Sequence, residues 1–79
     1  MTDYADLTAY IVKTIVDDKD AVEVRLKPGG RQTVVEIKVA SEDMGKIIGK
    51  NGRNIDAIRA VVRSAGLRNR ERVQVDVAQ

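Results

Sequence analysis

A chain of 79 residues, 43% hydrophobic and 33% charged, has the balance of a globular protein and the length for one core, so a single domain over residues 1–79 is expected. Lacking both cysteine and histidine, it offers no disulfide framework, no thiolate or imidazole metal ligand and no imidazole general base, which argues against an enzyme and against a metal or other cofactor. The net charge of +2 hides an asymmetry: residues 1–43 carry six basic and nine acidic side chains, residues 44–79 eight basic and three acidic, a distribution that suggests a polyanion partner for the C-terminal half.

From Thr2 to Val16 the residues Tyr4, Leu7, Ile11 and Ile15 recur at helical spacing, with Val12 and Val16 beside them, and predict an amphipathic helix. Thr2 is suited to cap its start, and Asp3 complements the positive end of its dipole. Asp17 and Asp18 favour stopping at the other end. Residues 22–26 then alternate, Val22, Val24 and Leu26 against Glu23 and Arg25, which is the pattern of a half-buried strand. Pro28, Gly29 and Gly30 make a turn. A second strand, Gln32 to Val39, points Val35, Ile37 and Val39 inward and pairs antiparallel with the first.

Ser41 is a candidate N-cap for a short helix that ends near Ile48, where Gly49 is expected to close it in the left-handed conformation. From Arg53 the spacing Ile55, Ile58, Val62 and Ala65 is helical again, with Gly66 as the expected stop. Val73, Val75 and Val77 alternate with Gln74 and Asp76 as a third strand, parallel to the second because a helical crossover joins them. The order αββααβ predicts an α+β fold: a three-stranded mixed sheet with three helices packed on one face. The longest wholly apolar run is four residues, Ala9 to Val12, and the acidic N-terminus has no basic flank. Neither a membrane span nor a signal peptide is expected, and a cytoplasmic location is.

The chemistry concentrates in Gly45-Lys46-Ile47-Ile48-Gly49-Lys50-Asn51-Gly52-Arg53-Asn54-Ile55. Gly49 and Gly52 bound a turn that a sugar-phosphate backbone can approach, Lys50 and Arg53 supply charge, and a helix N-terminus adds donors and a positive dipole end. A bare G-x-x-G is a common way to turn between helices. The flanking isoleucines, the polar middle pair and the β-α-turn-α-β setting make the combination more specific. The phosphate motifs G-x-x-x-x-G-K-[ST] and G-x-G-x-x-G are missing.

With two aliphatics before the G-x-x-G and Ile55 after it, the segment resembles the KH domain family, whose GXXG loop clamps four backbone nucleotides. The elements preceding the βααβ core resemble the type II, bacterial arrangement, and a free-standing domain of this length is similar to the small bacterial KhpA-type RNA-binding proteins. The resemblance implies a type II KH fold and binding of single-stranded RNA through Gly49, Lys50, Asn51, Gly52 and Arg53, with Lys46 and Ile48 alongside. It makes the turn at Pro28–Arg31 the family's variable loop, where Lys27 and Arg31 are weaker candidates. It also implies self-pairing, a larger KH-containing RNA-binding partner, and work as a post-transcriptional regulator or RNA chaperone. With only Tyr4 and Tyr10 as aromatic rings, both on the first helix, recognition cannot rest on a stacking platform.

Two further readings come from the residues. Ala57, Val61 and Ser64 form a second face on the helix after Arg53, a candidate homodimer interface. The alternative to RNA binding is a protein interaction subunit whose fold mainly docks a partner. Cations in the turn favour RNA.

Overall fold

The computed structural model describes residues 3–78, apart from the side chain of Pro28. Its elements are α1 (Tyr4–Ile15), β1 (Glu23–Gly29), β2 (Gln32–Lys38), α2 (Met44–Ile48), α3 (Arg53–Arg68) and β3 (Arg72–Val77), with 3₁₀ turns at Lys19–Ala21, Ser41–Asp43 and Lys50–Gly52. The strand order is β1-β2-β3. β1 pairs antiparallel with β2, Val24 facing Ile37, and β2 pairs parallel with β3, Val35 facing Val75. This is the expected mixed sheet.

Period-2 alternation decides which face of the sheet is covered. Val35, Ile37, Val73 and Val75 turn toward the helices and join Tyr4, Val12, Val16, Ile47, Ile55, Ile58 and Val62 in one buried cluster. Glu36, Lys38, Gln74 and Asp76 alternate with them. Leu26 departs from its expected inward role: β1 is an edge strand, and 46% of Leu26 remains exposed although it faces the buried Val35.

Three helix ends differ from the sequence reading. Thr2 lies outside the described residues, and Asp3 is the N-cap of α1, its carboxylate accepting from the Ala5 and Asp6 amides at 3.0 and 3.2 Å. Ser41 caps nothing: it begins a 3₁₀ turn without a side-chain cap. Gly66 does not stop α3 but sits inside it, buried, because a Cβ there would lie 2.6 Å from Val73 Cγ2 and 3.0 Å from the Glu71 carbonyl oxygen. The helix ends two residues later in a Schellman closure. The Glu71 amide donates to Gly66 at 2.8 Å and the Arg70 amide to Leu67 at 3.0 Å, which brings Arg70 to φ 58°. Glycine is favoured in that left-handed position, where a side chain costs roughly 1–2 kcal/mol.

The start of α2 is tied to the end of α1 by one carboxylate. Asp43 is buried and accepts from the Asp18 amide at 3.0 Å and the Asp17 amide at 3.3 Å. Those donors just past α1 hold the carboxyl below its ordinary pKa, the Asp18 bond most strongly, against the opposing effect of burial. Lys46 joins from α2. It bonds the Asp17 carboxylate, which raises the lysine above its ordinary value, and lies 3.7 Å from Asp43. The polar staple sets the direction in which α2 delivers the chain to the turn.

Candidate nucleic-acid interface

Gly49 leaves α2 at φ 75°, ψ 175°. This is not the left-handed helical conformation expected from the sequence but an extended one of positive φ, open essentially to glycine alone. Asn51 (φ 59°, ψ 27°) and Gly52 (φ 74°, ψ 14°) supply the left-handed residues instead. The resulting 3₁₀ turn uses some of its own amides: Gly52 donates to the Gly49 carbonyl at 3.2 Å, and Arg53 donates to Lys50. No side chain caps the first turn of α3. Among the described residues its positive end is therefore open to solvent.

Asn54 is the residue the sequence reading missed at this corner. Its amide donates to the Lys46 carbonyl at 2.7 Å, and its side chain fills the space where a Cβ on Gly49 would go, 2.7 Å from its Cγ. The loop is thus packed from beneath by Asn54, while nothing lies within 4 Å of the Cβ position on Gly52. That face is open.

Among the described residues Lys50 and Arg53 make no ion pair. Both are exposed. Lys46 stands differently, because its ammonium is engaged by Asp17. Ile47 is fully buried, whereas Ile48 is 41% exposed next to the turn, so only the second isoleucine is available to a ligand. Lys27 at the hairpin is paired with Glu36 at 2.7 Å.

A groove runs between α3 and β3, lined by Arg59, Arg63, Leu67, Arg72, Gln74 and Asp76. Arg59 spans it, its Nε donating to the Val75 carbonyl at 3.1 Å. Taking 1.5 Å per helical residue, Arg59 lies about 9 Å from the start of α3 and Arg63 about 15 Å. The signal for these arginines was in the sequence, as an i, i+4 pair on one helix face. Only the fold reveals that this face looks onto the edge of a strand. Among the described residues no group of acidic side chains suited to a metal ion occurs, and no helix is long and apolar enough to cross a membrane.

Ala57 and Val61 line a separate groove, between α1 and α3, with Leu7, Tyr10, Ile11 and Ile15. Val61 is 50% exposed and Tyr10 73%. Ser64 is exposed one turn beyond Val61.

A glycine-bounded turn between two helices, seated on a mixed sheet of order αββααβ, defines a KH domain of the type II arrangement. The profile described as KhpA/KhpB, KH domain matches residues 5–77, and the chain belongs to that family. The RNA-binding protein KhpA of Caldanaerobacter subterraneus subsp. tengcongensis is 47% identical over 72 residues, covering 91% of this chain and 96% of its own. That of Clostridium acetobutylicum is 45% identical over 67 residues, covering 85% and 89%. Among solved structures, Aquifex aeolicus Era bound to GDP.AlF4- superposes with a TM-score of 0.61 at 21% identity, over 95% of this chain and 30% of that one. Era in complex with MgGDPNP and nucleotides 1506–1542 of 16S ribosomal RNA gives 0.60 at 22%, with the same coverage. At such identity the likeness shows the shared fold.

Proposed function

We propose that the chain is a non-catalytic, cytoplasmic RNA-binding module, a single KH unit that holds single-stranded RNA at the Gly49–Gly52 turn. The carrying observation is the turn itself: a backbone without bulk at Gly52, two cations without ion pairs, and an uncapped helix N-terminus at the same corner. Phosphates seat against Lys50, Asn51, Gly52 and Arg53, and bases pass Ile48. Lys46 contributes its field from within the staple, and Arg59 and Arg63 continue the positive track. Relatives that carry the name RNA-binding protein KhpA support the reading. Regulation or chaperoning of RNA after transcription is the role such a module serves.

The test is recovery of RNA crosslinked to the wild type and to a folded Lys50→Asp/Asn51→Asp double variant. Loss in the variant is expected, and equal recovery overturns the assignment. Neutralising two or three phosphates gives a single-strand salt slope of about −1.4 to −2.1.

The apolar groove beside Ala57 and Val61 favours a companion reading, in which the chain pairs with a second copy or with a larger KH-containing RNA-binding protein through Ala57, Val61 and Ser64. Sedimentation tests it: Val61→Glu abolishes self-association, and a dimer mass unchanged in that variant refutes the placement. A pure docking subunit, the alternative, would retain its partner and lose nothing in the Lys50→Asp/Asn51→Asp variant.

A further inference from the structure

α2 is the shortest α-helix of the fold, five residues from Met44 to Ile48, yet it delivers the chain to the glycine turn. A helix of that length has little hydrogen bonding of its own, so its direction depends on what holds its two ends. At the start the Asp43 carboxylate is tied to the Asp17 and Asp18 amides. At the end the Gly49 amide closes on the Gly45 carbonyl at 2.8 Å. The Lys46 carbonyl, which a longer helix would return to the Lys50 amide, takes the Asn54 side chain at 2.7 Å instead. One side chain thus spans the turn.

Asn54 stands in the first turn of α3, one residue past Arg53. The dipole of α3 would favour an acid there, and asparagine is a middling helix former, so α3 gains little from the choice. The turn gains more. A carboxylate in this place has no proton for the Lys46 carbonyl, whereas the amide donates. Gly49, Asn51 and Gly52 all have positive φ, and a backbone of that kind persists when its surroundings over-determine it. The turn's own bond, from the Gly52 amide to the Gly49 carbonyl, is long at 3.2 Å. The shorter bond is the one from Asn54, and the same side chain fills the space against Gly49.

We infer that Asn54 is a positioning residue for RNA, which holds the Gly49–Gly52 turn in its gripping shape before the strand arrives and touches no phosphate itself. The inference rests on the RNA-binding reading proposed above and deepens it. When a binding-competent shape is populated only part of the time, apparent affinity falls by that fraction. Loss of one ordinary hydrogen bond lowers such a population by about two- to tenfold. Charge is untouched. Lys50 and Arg53 remain, so the number of phosphates neutralised, and with it the salt slope, stays the same.

The test is fluorescence anisotropy with a single-stranded RNA across salt, well below the melting temperature of each variant, beside amide hydrogen exchange. Asn54→Leu keeps bulk beneath Gly49 and removes only the donor; Asn54→Ala removes both. Each variant is expected to bind RNA about two- to tenfold more weakly with the wild-type salt slope. The Gly52 amide exchanges faster in both, while the amides of β2 keep their protection. A merely structural Asn54 would speed exchange in β2 and at Gly52 together and leave the affinity of the folded protein alone. Unchanged affinity beside faster Gly52 exchange overturns the inference. So does a slope shallower by about 0.7, the loss of one phosphate contact. If a folded Lys50→Asp/Asn51→Asp variant binds as the wild type does, it is the glycine-turn assignment that fails, so the two failures read out separately.

Discussion

Alanine substitution of the three glycines around the turn should produce three different energies, in an order fixed by the backbone and its neighbours. At Gly49 a Cβ meets two penalties: φ 75° with ψ 175° is closed to side chains, and the new atom lies 2.7–2.9 Å from three atoms of Asn54. Strain of that kind costs roughly 1–3 kcal/mol, and displacing Asn54 from the Lys46 carbonyl loses a hydrogen bond worth about 0.5–1.5 kcal/mol. Gly49→Ala is therefore expected to cost about 3 kcal/mol. Gly52→Ala pays only for the left-handed backbone, about 1–2 kcal/mol, because its Cβ meets nothing within 4 Å. Gly45, in α2 and equally open, gains roughly 0.5–1 kcal/mol from the helix preference for alanine. Thermal unfolding reads all three, at about 4–8 °C per kcal/mol for a domain of this size. Equal melting temperatures for Gly49→Ala and Gly52→Ala would refute the role given to Asn54 beneath the loop.

Gly66→Ala, favourable by helix propensity, should instead destabilise by about 1–3 kcal/mol through overpacking against Val73; a raised melting temperature would show that α3 and β3 can separate without loss. Among the described residues the fully buried Thr8 hydroxyl has no hydrogen-bond partner, so Thr8→Val should raise stability by about 1 kcal/mol in urea unfolding. Asp43 gives a pH signature. Its folded pKa is depressed, so its contribution is whole above the ordinary aspartate value of about 3.9 and drains as pH falls through the lower folded value. The gap between wild type and Asp43→Asn in urea midpoint should hold from about pH 7 to 5 and narrow below about 4; a gap independent of pH would remove the charge from the staple.

Element order, strand pairing and the turn were legible because each is written in local periods and glycine spacing. What escaped was decided at long range. Asp43 reads locally as a first-turn acid, yet its acceptors serve amides 25 and 26 positions earlier. Gly66 reads as a helix stop, but its lack of bulk is required by Val73, which reaches it only after the chain reverses. Leu26 obeys the strand alternation and still meets water, since position at the sheet's margin is a property of topology. At the site, Lys50 and Arg53 were visible by their neighbourhood to glycine. Arg59, Arg63 and Arg72 became candidates only when α3 and β3 were laid side by side.

The strand order leaves β3 with no neighbour on one flank. Such a flank ordinarily invites a sister molecule to add itself by main-chain bonding, the first step toward aggregation. Here the Arg59 side chain already occupies the Val75 carbonyl, and Arg63 and Arg72 stand nearby; two copies brought flank to flank would press like charges together. On the RNA-binding reading proposed above, the margin that refuses its own kind in this way is the one offered to a chain of opposite sign.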